Sequence, residues 1–189
     1  MSIEVTDSDV LIVVDPQNDF LPGGTLAVAE GNRIFDPLNA VIPRFRRLYA
    51  TRDWHPKNHK YFAAEGGPWP YHCLQNTLGA AFSPRLDASR LNAVISKGTD
   101  PDTDGYSGFA GTDLERRLRE DGVTRVFVAG LATDYCVKAT AIEARQRGFD
   151  VVVLTDAIAA VNVKAGDEAA ALREMADSGS MLATTSDLI

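Results

Sequence analysis

The stretch RDWHPKNH, residues 52–59, sets Asp53 and His55 two positions apart, with His59 just beyond. The chain has 3 histidines, and the last, His72, lies in GGPWPYHC behind Pro68 and Pro70. Residues two apart in an extended segment point to the same side, so Asp53 and His55 can share one ion and His72 can close the set. Imidazole and carboxylate donors without an obligatory thiolate suit zinc, iron or manganese, and three protein ligands leave positions open for water or substrate. Histidines beside prolines also fit a solvated surface loop, so the local pattern alone leaves both readings standing.

A second group of residues could form and break a covalent bond. Asp15 ends DVLIVVD, Lys97 ends NAVISK, and Cys136 follows the strand-like TRVFVAG at a helix start. There the positive end of the helix dipole favours thiolate. Since an ordinary thiol with a pKa of about 8.5 is only a few per cent ionised at neutral pH, a base in reach would still help. Asp15 can be that base, and a neighbouring Lys97 would hold it ionised. A buried lysine without such partners would be costly.

The elements that must position these groups are legible as short apolar runs. Strands are expected at 9–15, 46–51, 92–97, 124–130, 150–155 and, weakly, 181–185. A helix is expected from Asp36 as cap with Pro37 in its first turn, burying Leu38, Val41 and Ile42 until Pro43 stops it. Thr112 with Glu115 reads as a capping box. A further helix runs from Cys136 until Gly148 ends it, and a last one occupies about 165–177. Strands alternating with helices, without repeats or a linker, predict a single α/β domain over 1–189: an open, mostly parallel six-stranded sheet flanked by helices on both faces. In such a sheet ligands bind outside the carboxyl ends of the strands, where Asp15, Asp53, Lys97 and Cys136 all fall. Residues 53–91 show no clear element, and a loop of that length is usually functional.

Composition narrows the classes. Hydrophobic residues at 45% and charged residues at 24% are ordinary for a globular protein and exclude disorder or fibre. A net charge of −7, with no basic run beyond the pairs in FRR and ERR, argues against a nucleic-acid partner. No apolar run approaches the ~18 residues of a membrane span, and the acidic N-terminal stretch lacks the bases of a signal peptide, so a cytoplasmic protein with no membrane partner is expected. Cys73 and Cys136 then read as free thiols.

The motifs DPQNDF, TRDWHPKNH, GGPWPYHC, SKG, GYSGFAGTD and GLATDYCV, in this order over nearly the whole chain, resemble the nicotinamidase/pyrazinamidase family of isochorismatase-like cysteine hydrolases. The resemblance implies that fold, an Asp15–Lys97–Cys136 triad, and one divalent metal on Asp53, His55 and His72. Zinc leads for the metal, with iron or manganese as alternatives. It further implies a cis peptide before Ala132, an oxyanion hole from the backbone N–H groups of Ala132 and Cys136, and substrate contacts from Phe20, Trp69, Tyr106 and Leu131. His59 and Glu65 rank below the metal trio, as outer residues. The implied activity is hydrolysis of nicotinamide to nicotinate and ammonia in NAD salvage, extending to pyrazinamide, by an enzyme that could form a homo-oligomer. Two alternatives are another hydrolase of the superfamily, acting on a carbamoyl or ureido amide, and a catalytically idle small-molecule-binding module. The DxH…H set weighs against the first, and the presence of both Cys136 and Lys97 against the second.

Overall fold

The computed structural model describes residues 2–189. Its strands are β1 (Asp9–Val14), β2 (Leu48–Asp53), β3 (Ala93–Lys97), β4 (Arg125–Leu131), β5 (Asp150–Ala159) and β6 (Met181–Ala183). They form one six-stranded sheet in the order β3-β2-β1-β4-β5-β6, and every neighbouring pair is parallel. The helices are α1 (Phe35–Val41), α2 (Leu114–Glu120), α3 (Lys138–Gln146) and α4 (Asp167–Asp177).

All of β1 is buried, because alternate side chains enter two separate cores. Leu11 and Val13 pack with Leu38, Val41 and Phe45 on the α1 face. Val10, Ile12 and Val14 pack with Leu118, Ala141 and Met175 beneath α2, α3 and α4. The sheet is thus covered on both sides, and β1 and β4 lie at its centre, where the strand order reverses. Crossovers diverge there and leave a crevice at the strands' carboxyl ends. Among the described residues no helix is long and apolar enough to cross a membrane.

Several boundaries differ from the sequence expectation. A 3-10 turn, Gly31–Ile34, feeds directly into α1, so the helix starts at Phe35 and Asp36 lies in its first turn without capping it. Pro43 starts a fresh turn, Ile42–Arg44, where its missing N–H does no harm. The Thr112 hydroxyl does accept the Leu114 N–H at 3.2 Å, but no capping box forms, because Glu115 is drawn away to Arg147 and Arg119. The pair Arg46–Arg47 turns to Asp7 and Asp121, at the opposite end of β2 from Asp53. β5 runs on to Ala159 after a register shift against β4 between Val128 and Gly130.

Residues 54–92 hold only short turns, yet they are pinned. Isolated bridges join His55 to Leu74 and Phe62 to Trp69. The fully buried Phe62 sits beneath the rings of His55, His59, Tyr71 and His72. This segment closes over the carboxyl edge of β1, β2 and β3.

Candidate active site

Lys97 is the last residue of β3 and stands in register with Asp53, the last residue of β2. Its ammonium lies 2.8 Å from Asp15 Oδ2 and 2.5 Å from Asp53 Oδ1. It donates to the Gly105 carbonyl at 2.9 Å and approaches Cys136 Sγ at 3.3 Å. Burial alone would discharge Lys97, but Asp15 and Asp53 outweigh it and push its pKa well up. For Asp53 too, burial would raise the pKa; Lys97 and His55 outweigh it and hold the carboxyl well below the usual range.

Asp15 follows β1 with a left-handed φ of +48°. Its N–H donates to the Thr51 carbonyl at 3.2 Å, and the Thr51 hydroxyl donates to Asp15 Oδ1 at 2.6 Å. Oδ2 faces the Lys97 ammonium at 2.8 Å. Burial raises the Asp15 pKa against the pull of Lys97.

Cys136 does not open its helix. The chain winds through a π-helical turn, Thr133–Val137, before α3 begins. Nor does the site favour thiolate as expected from the dipole. Burial pushes the Cys136 thiol well above its usual range; Lys97 opposes this, while Asp15 and Asp53 add to it. A protonated thiol beside a carboxylate of raised pKa is an arrangement in which the carboxylate can take the thiol proton.

Asp53, His55 and His72 are all buried and bring one donor atom each within 4.8 Å of the others. His55 Nδ1 lies 2.8 Å from the Gly98 carbonyl, and His72 Nδ1 lies 2.8 Å from the Pro70 carbonyl. A carbonyl only accepts, so both Nδ1 atoms carry a hydrogen, and in the neutral rings a metal would bind both Nε2 lone pairs face the Asp53 carboxylate. Those Nε2 atoms stand 3.2 and 3.9 Å from Asp53 Oδ2. Three acceptors facing one another call for a cation among them, and this donor set fits a divalent metal. Gly98 is required beside it: its φ is +62°, and a Cβ there would sit 2.4 Å from the His55 ring.

His59 packs on His55 at 4.3 Å between ring centroids, and its Nε2 is buried without a partner. Burial and the neighbouring His55 push its pKa down to about 4. Glu65 is exposed in a 3-10 turn and outside the converging donors.

Between the two groups opens a pocket lined by Phe20, Leu26, Trp69, Tyr106, Ala132, Tyr135 and Val161, with Asp53, His72 and Cys136 at its base. Trp69 Nε1 donates to the Tyr106 hydroxyl at 2.9 Å, which joins two loops across the pocket. The Leu131–Ala132 peptide is cis. Leu131, expected at the substrate, is instead fully buried in the α1-side core, because strand alternation turns its side chain away. Leu26, Tyr135 and Val161 line the pocket in its place. Thr51 and Gln17, which bond to Asp15 and to the Asp53 backbone, were also missed. The signal for Gln17 lay in DPQNDF: its side-chain amide pairs with the Asp53 backbone, accepting from N–H and donating to C=O, both at 2.8 Å.

An open parallel sheet with these groups at its carboxyl edge defines an α/β enzyme-like scaffold, and the isochorismatase domain model matches residues 9–187. The chain belongs to the isochorismatase domain family. Within it, the chain is 40% identical over 202 residues to the nicotinamidase of Escherichia coli, covering 94% of this chain and 95% of that protein. Among solved structures, PnC1 of L. infantum in complex with nicotinate is 43% identical with a TM-score of 0.95, covering 100% of this chain and 99% of that one. The pyrazinamidase of Pyrococcus horikoshii in complex with zinc is 48% identical with a TM-score of 0.87, covering 94% and 99%.

Proposed function

We propose that the protein is a nicotinamidase, hydrolysing nicotinamide and water to nicotinate and ammonia in NAD salvage, with pyrazinamide as a second substrate. The observation that carries this reading is the buried Lys97 ammonium. It holds Asp15, Asp53 and Cys136 around one point, at the base of an aromatic pocket.

The ring slides between Phe20 and Trp69 with its carboxamide toward Cys136. Asp15 Oδ2 takes the thiol proton, and Sγ attacks the amide carbon. The backbone N–H groups of Ala132 and Cys136 stabilise the tetrahedral oxyanion. Asp15 returns the proton to the amine, ammonia leaves, and a thioester remains on Cys136. Asp15 then deprotonates a water that attacks the thioester; nicotinate departs and the thiol regains its proton. Lys97 stays charged throughout and keeps both carboxylates oriented.

Asp53, His55 and His72 would hold one divalent metal, which when bound supplies a Lewis-acidic contact for a ring nitrogen and for water. Zinc is our assignment, on the imidazole–carboxylate donor set and on the zinc of the P. horikoshii relative. His59 lies outside the ligands and packs against one of them. Free, buried thiols at Cys73 and Cys136 fit a reducing, cytoplasmic setting.

The test compares kcat/KM for nicotinamide and benzamide. A site built for a polar partner rejects an analogue lacking it by ~10⁴-fold, whereas an apolar slot discriminates far less. Near-equal values would mean that no metal contacts the ring, and the ring-nitrogen part of the reading would be abandoned.

A further inference from the structure

Asp134 is buried on the same turn as Cys136, and its carboxylate bonds to the segment that follows β5. Oδ1 accepts the Val161 N–H at 2.9 Å, and Oδ2 accepts the Asn162 N–H at 2.8 Å. Asn162 adopts a left-handed φ of +53°, and its side-chain oxygen accepts the N–H of Glu168 in the first turn of α4 at 3.0 Å. Residues 162–166 are otherwise exposed and without regular structure. One carboxylate therefore ties this segment to the turn bearing Cys136. The residue it holds, Val161, lines the pocket beside Phe20, Leu26 and Ala132. A carboxylate receiving two backbone N–H bonds, one on each oxygen, is a directional tether.

We propose that Asp134 is a positioning residue that fixes Val161 as a rigid wall of the ring pocket and so sets which ring substituents the site admits. This rests on the nicotinamide reading above. A wall that cannot retreat excludes a methyl group it would meet, and cutting the tether lets the wall move without touching the triad or the metal donors.

Two measurements test it. Hydrogen–deuterium exchange reports the tether without substrate: in the unmodified protein the Val161 and Asn162 amides are protected relative to those of Val163 and Ala165, while the Lys164 amide is held separately by Asp167. In Asp134→Asn, where an amide N–H₂ replaces one acceptor, they exchange at least ~10-fold faster. The second is kcat/KM for nicotinamide against its ring-methylated isomers. Val161→Ala identifies the isomer facing this wall by raising its kcat/KM relative to nicotinamide by ~10-fold or more. Asp134→Asn raises the same ratio, and the double variant adds less than about twofold to Val161→Ala, since both changes remove one wall. A merely structural role lowers the active fraction for every substrate alike and leaves the ratio fixed. The proposal is overturned if nicotinamide is hydrolysed but the ratio in Asp134→Asn equals that of the unmodified protein, or if the two amides are unprotected from the start. Protected amides in a protein that leaves nicotinamide intact would overturn the substrate reading instead, and the ring wall with it. Should Asp134→Asn not fold, Asp134→Ser carries the same expectations and the wild-type exchange pattern still decides the tether.

Discussion

Replacing Lys97 by methionine keeps most of the apolar stem and removes the ammonium, with its charge and its donation to the Gly105 carbonyl. At 2.8 Å from Asp15 and 2.5 Å from Asp53, the ammonium attracts each carboxylate by roughly 6 to 7 kcal/mol at an effective dielectric of about 20. Most of that offsets the cost of burying three ions. Without it, two carboxylates with oxygens within 4.8 Å of each other remain buried, repelling by at least roughly 3 kcal/mol. One of them must then take up a proton, and with a metal on Asp53 it is Asp15. Breaking a buried pair this way costs about 3–5 kcal/mol of stability at neutral pH. The sign with pH follows from the raised carboxyl pKa in the variant. Its penalty is absent at low pH, where the group is protonated in both folded and unfolded chains, and grows as the pH rises through the folded value. Urea unfolding of Lys97→Met should therefore show a smaller deficit at pH 5 than at pH 8. Ammonia release from nicotinamide should fall at least ~10²-fold at neutral pH, the usual worth of a general base. Activity within tenfold of the unmodified protein, or a stability deficit independent of pH, would refute the view that this ammonium keeps the base ionised.

Cys136→Ala should abolish amide hydrolysis with fold and metal content intact, while Cys73→Ala, whose thiol is buried in the α1-side core, keeps most of it; reversed behaviour would reassign the nucleophile. His72→Ala should lose metal and activity together by elemental analysis, and His59→Ala should lose less metal than His55→Ala, with equal losses moving His59 into the ligand set. In the unmodified enzyme kcat/KM should fall as the pH drops through the raised Asp15 pKa, above the ordinary carboxylate range, because the base works only when ionised; an acid limb at or below that range would exclude Asp15 as the base.

Much of the fold was legible because a parallel sheet covered on both faces leaves continuous Val/Ile runs, as in DVLIVV and DVVVL. The positions at strand ends followed from it, and with them Asp15, Asp53, Lys97 and Cys136. What stayed hidden depends on register and on three-dimensional paths. That Lys97 bonds to Asp53 as well as Asp15 requires β2 and β3 to pair Asp53 with Lys97, which no spacing within either strand reveals. The raised thiol pKa of Cys136 comes from burial and two carboxylates brought from other strands, and these outweigh the helix end visible in sequence. Leu131 was misread because its neighbour Ala132 faces the pocket while it faces the core. Val161 and Asp134 meet through a direct hydrogen bond between residues 27 apart in sequence, which no local spacing reveals, and Asn162 beside them takes a left-handed φ that asparagine tolerates without announcing it.

The most direct test of the central claim follows nicotinate and ammonia together, with purified metal-loaded protein and nicotinamide as the only substrate. The account predicts the two products in equal amounts, no product from Cys136→Ala, and, after acid quenching of a single turnover, a nicotinoyl thioester on the peptide containing Cys136. Products formed at the unmodified rate by Cys136→Ala, or no nicotinate from the unmodified protein, would contradict it.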